Sequence, residues 1–404
     1  MHRSIQYSRL PVHASILMFL MIYEACGAAV LSNERNPMSG ELQAPTQSGQ
    51  DSETAYRGRS FVAIEGLSSF TIAAGSAANE RIATSREIDT HITANEFIVS
   101  WNADTPQGTG IKVEARAVYH SSGGSPAHTS RYFTLGLWSR SGDAFPRVSV
   151  KNQRCEEGDV YTDTLALSVP ARYLQLRITL TGSSSLDASI PDIRFLGVSA
   201  TDTKYTVLPQ QHTSAAWNHE ITVPARTQLG WPEASGWCSP TSTDMVLAFW
   251  AERLARPELD LPVPEVAKAT YDSVYQGNGN WPFNTAFAGS FEGIRAYVSR
   301  FSDVSELEEW VVAGIPPVVS VSYDLLKGKD TDTDPGHLMV CVGFTGNGDI
   351  ILNDPAYHAD RGESCRRVFL RANFIRAWAK SKNALYLIYP VKHALPKNRY
   401  HHWE

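Results

Sequence analysis

The chain has 404 residues, enough for two domains, and 43% hydrophobic and 10% aromatic residues are ordinary for a globular protein with packed cores. Its formal net charge is -6, and it contains no run of lysine and arginine with interleaved aromatic residues. A surface that binds nucleic acid is therefore not expected.

The first 29 residues have the pattern of a secretory signal peptide. Arg3 and Arg9 precede an apolar run at residues 14–23, and the small residues Cys26-Gly-Ala-Ala29 follow it. Because the run is shorter than the ~20 apolar residues that span a bilayer, no stable membrane span is expected. We expect a bacterial protein that is secreted or periplasmic. The alternative is an uncleaved apolar anchor.

Residues 30–59 are polar and contain almost no large apolar side chains, so they are predicted to form a disordered linker. Residues 60–203 alternate between apolar and polar side chains, with turn signals between the alternating runs. The clearest runs are Ile111–Tyr119 and Leu174–Leu180, and Phe97–Trp101 is a shorter strand candidate. Many short strands between turns predict an all-β sandwich over residues 60–203.

Trp101 and Trp138, two tryptophans of this region, could have either of two roles. A tryptophan in an alternating strand is more often part of the core, but both are also candidates for a ligand surface. The sandwich is therefore a candidate for contact with a ligand or with the cell surface.

After a connector with Pro209 and Pro224, residues 204–395 are predicted to form an α+β domain. Helices are predicted at Val263–Gln276, Phe291–Phe301, Glu306–Val312 and Leu370–Lys380. Strands are predicted at Pro317–Tyr323, His337–Phe344, Asp349–Asp354 and Ala384–Tyr389. The predicted fold class is α+β, with an N-terminal sandwich followed by this domain.

A loop rich in glycine, proline and serine leads to Cys238, where a helix is predicted to begin. Pro240 suits the first turn of a helix, and Met245 and Phe249 have the spacing of a buried helical face. The N-terminus of a helix favours thiolate over thiol. Cys238 is therefore a candidate nucleophile. The alternative is that it is a small buried apolar side chain.

The predicted hairpin of residues 337–354 brings His337 and Asp354 to one face. A turn centred at Thr345-Gly346 places the two residues directly opposite, with Cβ atoms ~5 Å apart. If the loop contains four residues, Asp354 becomes a diagonal neighbour of His337 on the same face, but a bulge at Gly348 would break this parity. Cys341 shares that face and is expected to lie in the core.

Together these residues fill the roles of a thiol hydrolase. His337 can activate the Cys238 thiol, and Asp354 can fix the imidazole tautomer and orientation. The Gln228 side chain and the Cys238 N–H can stabilise an oxyanion. Each of these residues, taken alone, could also have a purely structural role. Their combination favours the catalytic role.

Other sites are less well supported. The chain has no H-E-x-x-H or G-x-S-x-G motif. The acidic run Asp330–Asp334 begins like a calcium loop, but Cys341 stands where an EF-hand needs glutamate. We predict no metal and no cofactor, and we expect His401 and His402 to belong to a frayed end. If Cys238 stays free, at most one disulfide forms among the other cysteines.

The motifs resemble those of cysteine peptidase family thirty-nine, a papain-like family known for processing bacteriocin leaders. The residues that carry the resemblance are Gln228, Cys238-Ser-Pro-Thr-Ser242, Gly336-His337-Leu-Met-Val340 and Asn353-Asp354-Pro355. The segments Gly277–Asn284 and Phe374–Trp378 resemble secreted bacterial members that have an N-terminal β-sandwich.

The resemblance implies a papain-like fold for residues 204–395 and a peptide or protein substrate. It also implies Cys238 as nucleophile, His337 as base, Asp354 as orienting residue and Gln228 in the oxyanion hole. Leader-processing members usually have Cys-Gly-Pro, whereas Ser239 follows the cysteine here. No transporter segments or ATP-binding domain accompany the motifs, so a double-glycine leader substrate is not implied.

Three functions remain open at this point. The first is hydrolysis of a peptide or related amide bond through an acyl-enzyme. The second is transfer of the acyl group to an amine by the same residues. The third is binding by a catalytically silent protein.

Overall fold

The computed structural model describes residues 55–121, 124–183, 189–206, 214–232, 234, 236–331, 333 and 336–404. The predicted signal peptide at residues 1–29 and most of the predicted linker at 30–59 lie outside the described residues. Export and linker disorder therefore stay predictions from the sequence. Among the described residues, no helix has the length and apolar character needed to cross a membrane.

The first half of the described chain is an antiparallel β-sandwich. Its strands are β1 (Arg59–Glu65), β2 (Thr71–Ala74), β3 (Glu80–Thr84), β4 (Ile88–Asp104), β5 (Gly110–His120), β6 (Pro126–Thr129), β7 (Phe133–Trp138), β8 (Gly158–Tyr161), β9 (Thr164–Thr181) and β10 (Asp192–Thr201). They pair in the order β1-β10-β4-β9-β3-β2. In addition, β5 and β8 each pair with β9, and β6 and β7 each pair with β5. The alternating apolar residues of β5 and β9 face the core, as the period of two predicts.

The second half contains a mixed-length antiparallel sheet with helices around it. The helices are α1 (Cys238–Leu254), α2 (Val263–Thr270), α3 (Trp281–Ala288), α4 (Val304–Val312), α5 (Tyr323–Leu326) and α6 (Arg371–Ala379). The strands are β11 (His219–Glu220), β12 (Ile294–Arg300), β13 (Val318–Val321), β14 (His337–Phe344), β15 (Ile350–Asn353), β16 (Arg366–Phe369) and β17 (Ala384–Pro390). The sheet order is β12-β17-β13-β14-β15-β16, with β11 beside β14. The predicted α+β class is confirmed.

The predicted helix at Phe291–Phe301 is wrong, because this segment forms the strand β12. Every residue of β12 is buried, including polar ones, so apolar periodicity does not reveal the strand. Arg295 pairs there with Glu65 at 2.6 Å, and Arg300 pairs with Glu96 at 2.7 Å. Gly293, with a φ of 73°, sets the bend that begins the strand.

The strand β4 extends beyond its predicted core, Phe97–Trp101, to Ile88 on one side and Asp104 on the other. Residues 97–103 are all buried. One face lies in the sandwich and the other packs against β12, at the edge of the second sheet. A strand that is buried on both faces has a continuous apolar run, as the predicted core does, whereas residues 88–94 alternate between buried and more exposed side chains.

Side chains of β4 satisfy the free edge of β12. The Asn102 amide donates to the Ala296 carbonyl at 2.6 Å and accepts the Ala296 N–H at 3.0 Å. Ser100 Oγ accepts the Val298 N–H at 2.9 Å. Backbone groups that would otherwise be unpaired on an edge strand are therefore bonded across the interface between the two halves.

An aromatic side chain from the second half also enters the sandwich core. The ring centroid of Phe283 lies 6.1 Å from that of Trp101 and 5.4 Å from that of Trp138. Both tryptophans are fully buried, so they are core residues and do not form a ligand surface. A Cβ atom at Gly136 would lie 2.9 Å from the Phe283 ring, so only glycine leaves room for it.

The predicted frayed end at His401 and His402 is wrong. His402 is fully buried, with Nδ1 2.5 Å from Glu306 Oε1 and Nε2 2.8 Å from the Tyr56 carbonyl oxygen. Burial would raise the pKa of the Glu306 carboxylate, but its interactions with His402 outweigh this effect and the pKa is lowered. Tyr56, inside the predicted linker, is thus already folded against the C-terminal segment.

We expect His402→Ala to lower the free energy of unfolding by about 3 kcal/mol, because it leaves the buried Glu306 carboxylate without the imidazole that lies nearest to it. Urea denaturation at pH 7 measures this change. The matched control is His401→Asn, since His401 is exposed and asparagine tolerates its φ of 60°. Equal losses in the two variants would contradict a specific role for the buried pair.

Candidate active site

The N-terminus of α1 is fixed by two strands of the sheet. The helix begins at Cys238, and the next residue, Ser239, is hydrogen-bonded through Oγ to the Tyr386 hydroxyl of β17 at 2.8 Å. One turn later, Ser242 Oγ donates to the Leu338 carbonyl of β14 at 3.0 Å. These contacts place the half-buried Cys238 beside the first residues of β14.

The hairpin of β14 and β15 has a longer turn and a different bulge from those expected. Phe344 pairs with Ile350, so the loop contains residues 345–349. The resulting parity shift is corrected by a bulge at Val342, between the Cys341 and Gly343 pairings. Continuing the register past the last pair of β15 makes Asp354 a diagonal neighbour of His337 on the same face.

The structure brings Cys238, His337 and Asp354 together. His337 Nε2 lies 2.8 Å from Asp354 Oδ1, and both side chains are buried. The Cys238 thiol is hydrogen-bonded to His337, and Nδ1 is the ring nitrogen that Asp354 leaves for this bond. The thiol thus contacts the imidazole, and the imidazole contacts the carboxylate.

The charges of the three groups support one another. Burial alone would raise the pKa of Cys238, but the hydrogen bond and positive charge of His337 outweigh it, and the thiol pKa lies below its usual value. Burial opposes the charge of His337 too, but bonds to Asp354 and Cys238 raise its pKa to about 9. The pKa of Asp354 is lowered despite burial, mainly by His337. The lowered pKa of Cys238 and the raised pKa of His337 both favour the pair of thiolate and imidazolium over the neutral pair.

Two further residues hold Asp354, and the sequence did not reveal either. The Tyr323 hydroxyl donates to Asp354 Oδ2 at 2.6 Å, and its ring centroid lies 4.6 Å from that of His337. Arg367 Nε lies 3.2 Å from the same carboxylate oxygen, and the Ala356 N–H donates to Oδ1 at 2.9 Å. Pairing the predicted strands β13 and β14 would have placed Tyr323 near His337. Arg367 lies on β16, which was not predicted.

Gln228 lies near the Asp354 turn, but its side chain makes no described contact with Cys238. Its backbone N–H donates to the Pro355 carbonyl at 2.9 Å. The neighbouring Thr227 Oγ1 donates to the Tyr357 carbonyl at 2.7 Å. The side chain is 9% exposed, and its Oε1 has no hydrogen-bond partner within the described part of the chain. The Gln228 backbone is therefore held in place by a hydrogen bond, whereas its carboxamide oxygen makes no hydrogen bond to the described residues.

The described residues contain no group of three or more histidine, cysteine, aspartate or glutamate side chains that could hold a metal ion. Asp332 and Asp334 of the acidic run lie outside the described residues, and the Asp330 side chain is 98% exposed. The prediction of no metal is not tested for the whole run.

All four described cysteines are free thiols. Cys341 is fully buried, as expected for a core residue, and burial raises its pKa well above the usual range. Burial also raises the pKa of Cys365 to about 12. Of these three groups, Cys238 alone has a lowered pKa.

Comparisons with known proteins agree with this geometry. Residues 76–201 match the family described as Peptidase C39 N-terminal domain, and residues 220–386 match the Peptidase_C39 like family. Cys238, His337, Asp354 and Gln228 all lie within the second match. No curated protein matches the chain.

One solved structure is described as "Structural basis for the promiscuous specificity of the carbohydrate-binding modules from the beta-sandwich super family". It is 13% identical over 36% of this chain and 56% of that chain, with a TM-score of 0.14. This chain thus spans little more than half of that structure's length. A TM-score this low establishes no common fold.

We expect Tyr323→Phe to move the acid limb of the Cys238 alkylation profile to higher pH, because the Tyr323 hydroxyl lowers the pKa of Asp354 and a protonated Asp354 no longer supports the imidazolium. The rate of carbamidomethylation by iodoacetamide, followed between pH 3 and 9, measures the effect. Tyr357→Phe removes a hydroxyl three residues after Asp354 and serves as control. Superimposable profiles for Tyr323→Phe and the wild type would show that the hydroxyl does not act on the site.

Proposed function

Since this chain belongs to the C39 family of papain-like cysteine peptidases, we propose that it hydrolyses a peptide or related amide bond with Cys238 as the nucleophile. The observation that carries the proposal is the bonded series of Cys238, His337 and Asp354 at the N-terminus of α1. The substrate class is a peptide or protein.

The first half of the reaction forms an acyl-enzyme. The Cys238 thiolate attacks the carbonyl carbon of the scissile bond, and the carbonyl π electrons move to oxygen. As the tetrahedral intermediate collapses, the His337 imidazolium gives its proton to the leaving amine, and the C–N bond breaks. Asp354 accepts the hydrogen bond from Nε2 throughout, which keeps Nδ1 directed at the sulfur and at the leaving group.

The second half restores the thiol site. His337, now neutral, takes a proton from water while the water oxygen attacks the thioester carbon. Collapse of the second tetrahedral intermediate breaks the C–S bond and releases the carboxylic acid product. The electron pair returns to sulfur, so the thiolate and imidazolium are present again. No metal or other cofactor is needed for the balance.

An oxyanion forms in both halves, and we assign its stabilisation to the Cys238 N–H and the Gln228 carboxamide. The first N–H groups of a helix have no partner within the helix, so the helix itself does not engage the Cys238 N–H. The anchored backbone of Gln228 supports the assignment, because it fixes the residue beside the turn that carries Asp354.

We expect Cys238 to be alkylated rapidly well below the usual thiol pKa of ~8.5. In His337→Ala the thiol loses its cationic partner while burial remains, so its pKa rises and the rate below pH 8 falls at least tenfold. Peptide mass spectrometry after iodoacetamide treatment measures each thiol, with Cys155, Cys341 and Cys365 as internal controls. A wild-type Cys238 no faster than the controls would indicate a silent binding protein.

We expect Gln228→Ala to lower kcat for hydrolysis of a mixed peptide pool by roughly 100-fold, the cost of removing one oxyanion donor. Alkylation of Cys238 by iodoacetamide forms no oxyanion and should keep its rate. Equal losses in both reactions would mean that Gln228 supports the structure rather than the oxyanion. Amine-linked products in place of free acids would favour acyl transfer over hydrolysis.

A further inference from the structure

A cavity of about 380 Å³ lies where the sandwich meets the second half of the chain. We name it the α6 cavity. The sandwich contributes Arg59, Thr203 and Tyr205 to its wall, and the second half contributes the start of α4, one side of α6, and Lys382 and Asn383. Small-molecule sites in proteins have volumes of about 300–1,000 Å³, so the α6 cavity has the size of a small ligand site.

Most of the open surface of this wall is apolar. Its main apolar side chains are Tyr205, Val304, Ile375 and Trp378. The Trp378 indole N–H donates to the Ala384 carbonyl at 2.9 Å, so the rest of the ring is left for apolar contact. Ile375, on the same side of α6, is 48% exposed. A ligand that covers these side chains removes apolar surface from water, which favours its binding.

Three of the charged groups in the wall already have partners within the protein. The ion pairs are those of Asp303 with Arg57 at 2.7 Å, Lys382 with Glu96 at 2.6 Å and Arg371 with Glu308 at 2.8 Å. The charges of these three groups are therefore balanced without a ligand.

Arg59, at the start of β1, differs from these charged groups of the wall. Its guanidinium makes no ion pair within the described part of the chain, and its Nε is shielded from solvent without a hydrogen-bond partner. Its Nη1 lies 3.4 Å from the Arg57 carbonyl oxygen, beyond the usual hydrogen-bond range of about 2.7–3.2 Å. A charge that is removed from water without a partner is costly, so an anion from outside would be stabilised here.

Neighbouring charges make the surroundings of this guanidinium positive. Burial, followed by the charge of Arg300, lowers the pKa of Arg59 to about 10, and the charge of Arg57 acts in the same direction. The carboxylates of Glu306 and Asp303 act in the opposite direction without cancelling the effect. Arg59 therefore remains a cation at neutral pH, in surroundings that favour an added negative charge.

We propose that the α6 cavity binds a small organic acid, with its carboxylate at the Arg59 guanidinium and its apolar body against Tyr205 and Trp378. A guanidinium presents N–H groups in a fork that matches the two oxygens of a carboxylate. One cation without an ion pair, among apolar walls, suits a monoanion with an apolar body better than it suits inorganic phosphate. The carboxylate could belong to a free acid or to the C-terminus of a peptide.

The first test is isothermal titration calorimetry on the full chain with three probes. They are 4-phenylbutyrate, its neutral analogue 4-phenylbutanamide, and inorganic phosphate. We expect the acid to bind at least about tenfold more tightly than the amide, because its bonds to the guanidinium are charge-assisted. Phosphate lacks an apolar body and should give no heat of binding.

Three variants test the assignment of the site. Arg59→Met should lower the affinity for 4-phenylbutyrate at least about tenfold, to that for the amide. Ala379→Trp fills the cavity from an exposed position of its wall and should abolish binding of both compounds while Arg59 stays in place. Arg376→Met removes an exposed arginine of α6 that does not line the cavity, and it should bind as the wild type does.

The stability of the variants without ligand separates a binding role from a structural one. Arg59→Met loses no ion pair, so its melting temperature should not fall below that of the wild type. Ala379→Trp keeps the decision independent of how well Arg59→Met folds. Equal affinity of the wild type for acid and amide, or undiminished affinity for the acid in either variant, would overturn the inference. So would the absence of any heat of binding with the acid.

A peptide probe distinguishes the two sources of the carboxylate. Tighter binding of acetyl-Gly-Gly-Phe than of 4-phenylbutyrate would support a peptide C-terminus as the ligand, and weaker binding would support a free organic acid.

The inference does not depend on the proposed peptidase function, because the site is separate from the thiol. Saturating 4-phenylbutyrate should therefore leave the rate at which iodoacetamide alkylates Cys238 unchanged. If the acid slowed alkylation equally in the wild type and in Arg59→Met, it would be bound at the active site and the inference would be wrong.

Discussion

The Asp354 carboxylate is fully buried, and its charge is tolerated because donors from four separate parts of the chain meet at it. They are the His337 imidazole, the Tyr323 hydroxyl, the Arg367 guanidinium and the Ala356 N–H. Transferring an ion out of water costs several kcal/mol unless charged and hydrogen-bonding partners replace the water. The positions of β14, β16, α5 and the turn after β15 are therefore coupled through one side chain.

This coupling has a consequence for the chemistry. Because two of the donors are cationic, the carboxylate stays ionised, and an ionised carboxylate stabilises the imidazolium form of His337. The lowered pKa of Cys238 in turn depends on that imidazolium. The thiol pKa is thus set by a chain of charges that ends at groups well away from the sulfur.

The sequence predicted the parts of the site that depend on local order. Cys238 at a helix start and His337 and Asp354 on one hairpin face follow from turn chemistry and strand parity, and parity survived because the bulge at Val342 offset the longer loop. Tyr323 and Arg367 were missed because their role depends on which strands are neighbours. The hydrophobic period of one strand does not show which strands lie beside it in the sheet.

The larger errors have a common physical origin in the contact between the two halves. β12 was predicted as a helix, and the segment with His402 was predicted to be frayed. β12 lies where one half of the chain buries the other, and the segment with His402 lies where the C-terminal residues return to Tyr56. There, polar residues are buried with partners distant in sequence, so hydrophobic periodicity, which assumes one wet face, does not apply.

The way in which β4 meets β12 has one more consequence. Asn102 and Ser100 occupy the hydrogen-bonding groups of that strand with side chains, so the two sheets adjoin without merging into one. A backbone strand in the same position would offer its own far edge to the next chain, and growth would continue from molecule to molecule. A side-chain amide has no far edge to offer. The junction therefore ends the sheet at β12. If the second half were produced without the sandwich, the edge of β12 would be exposed, and we would expect it to pair with the same edge of other copies.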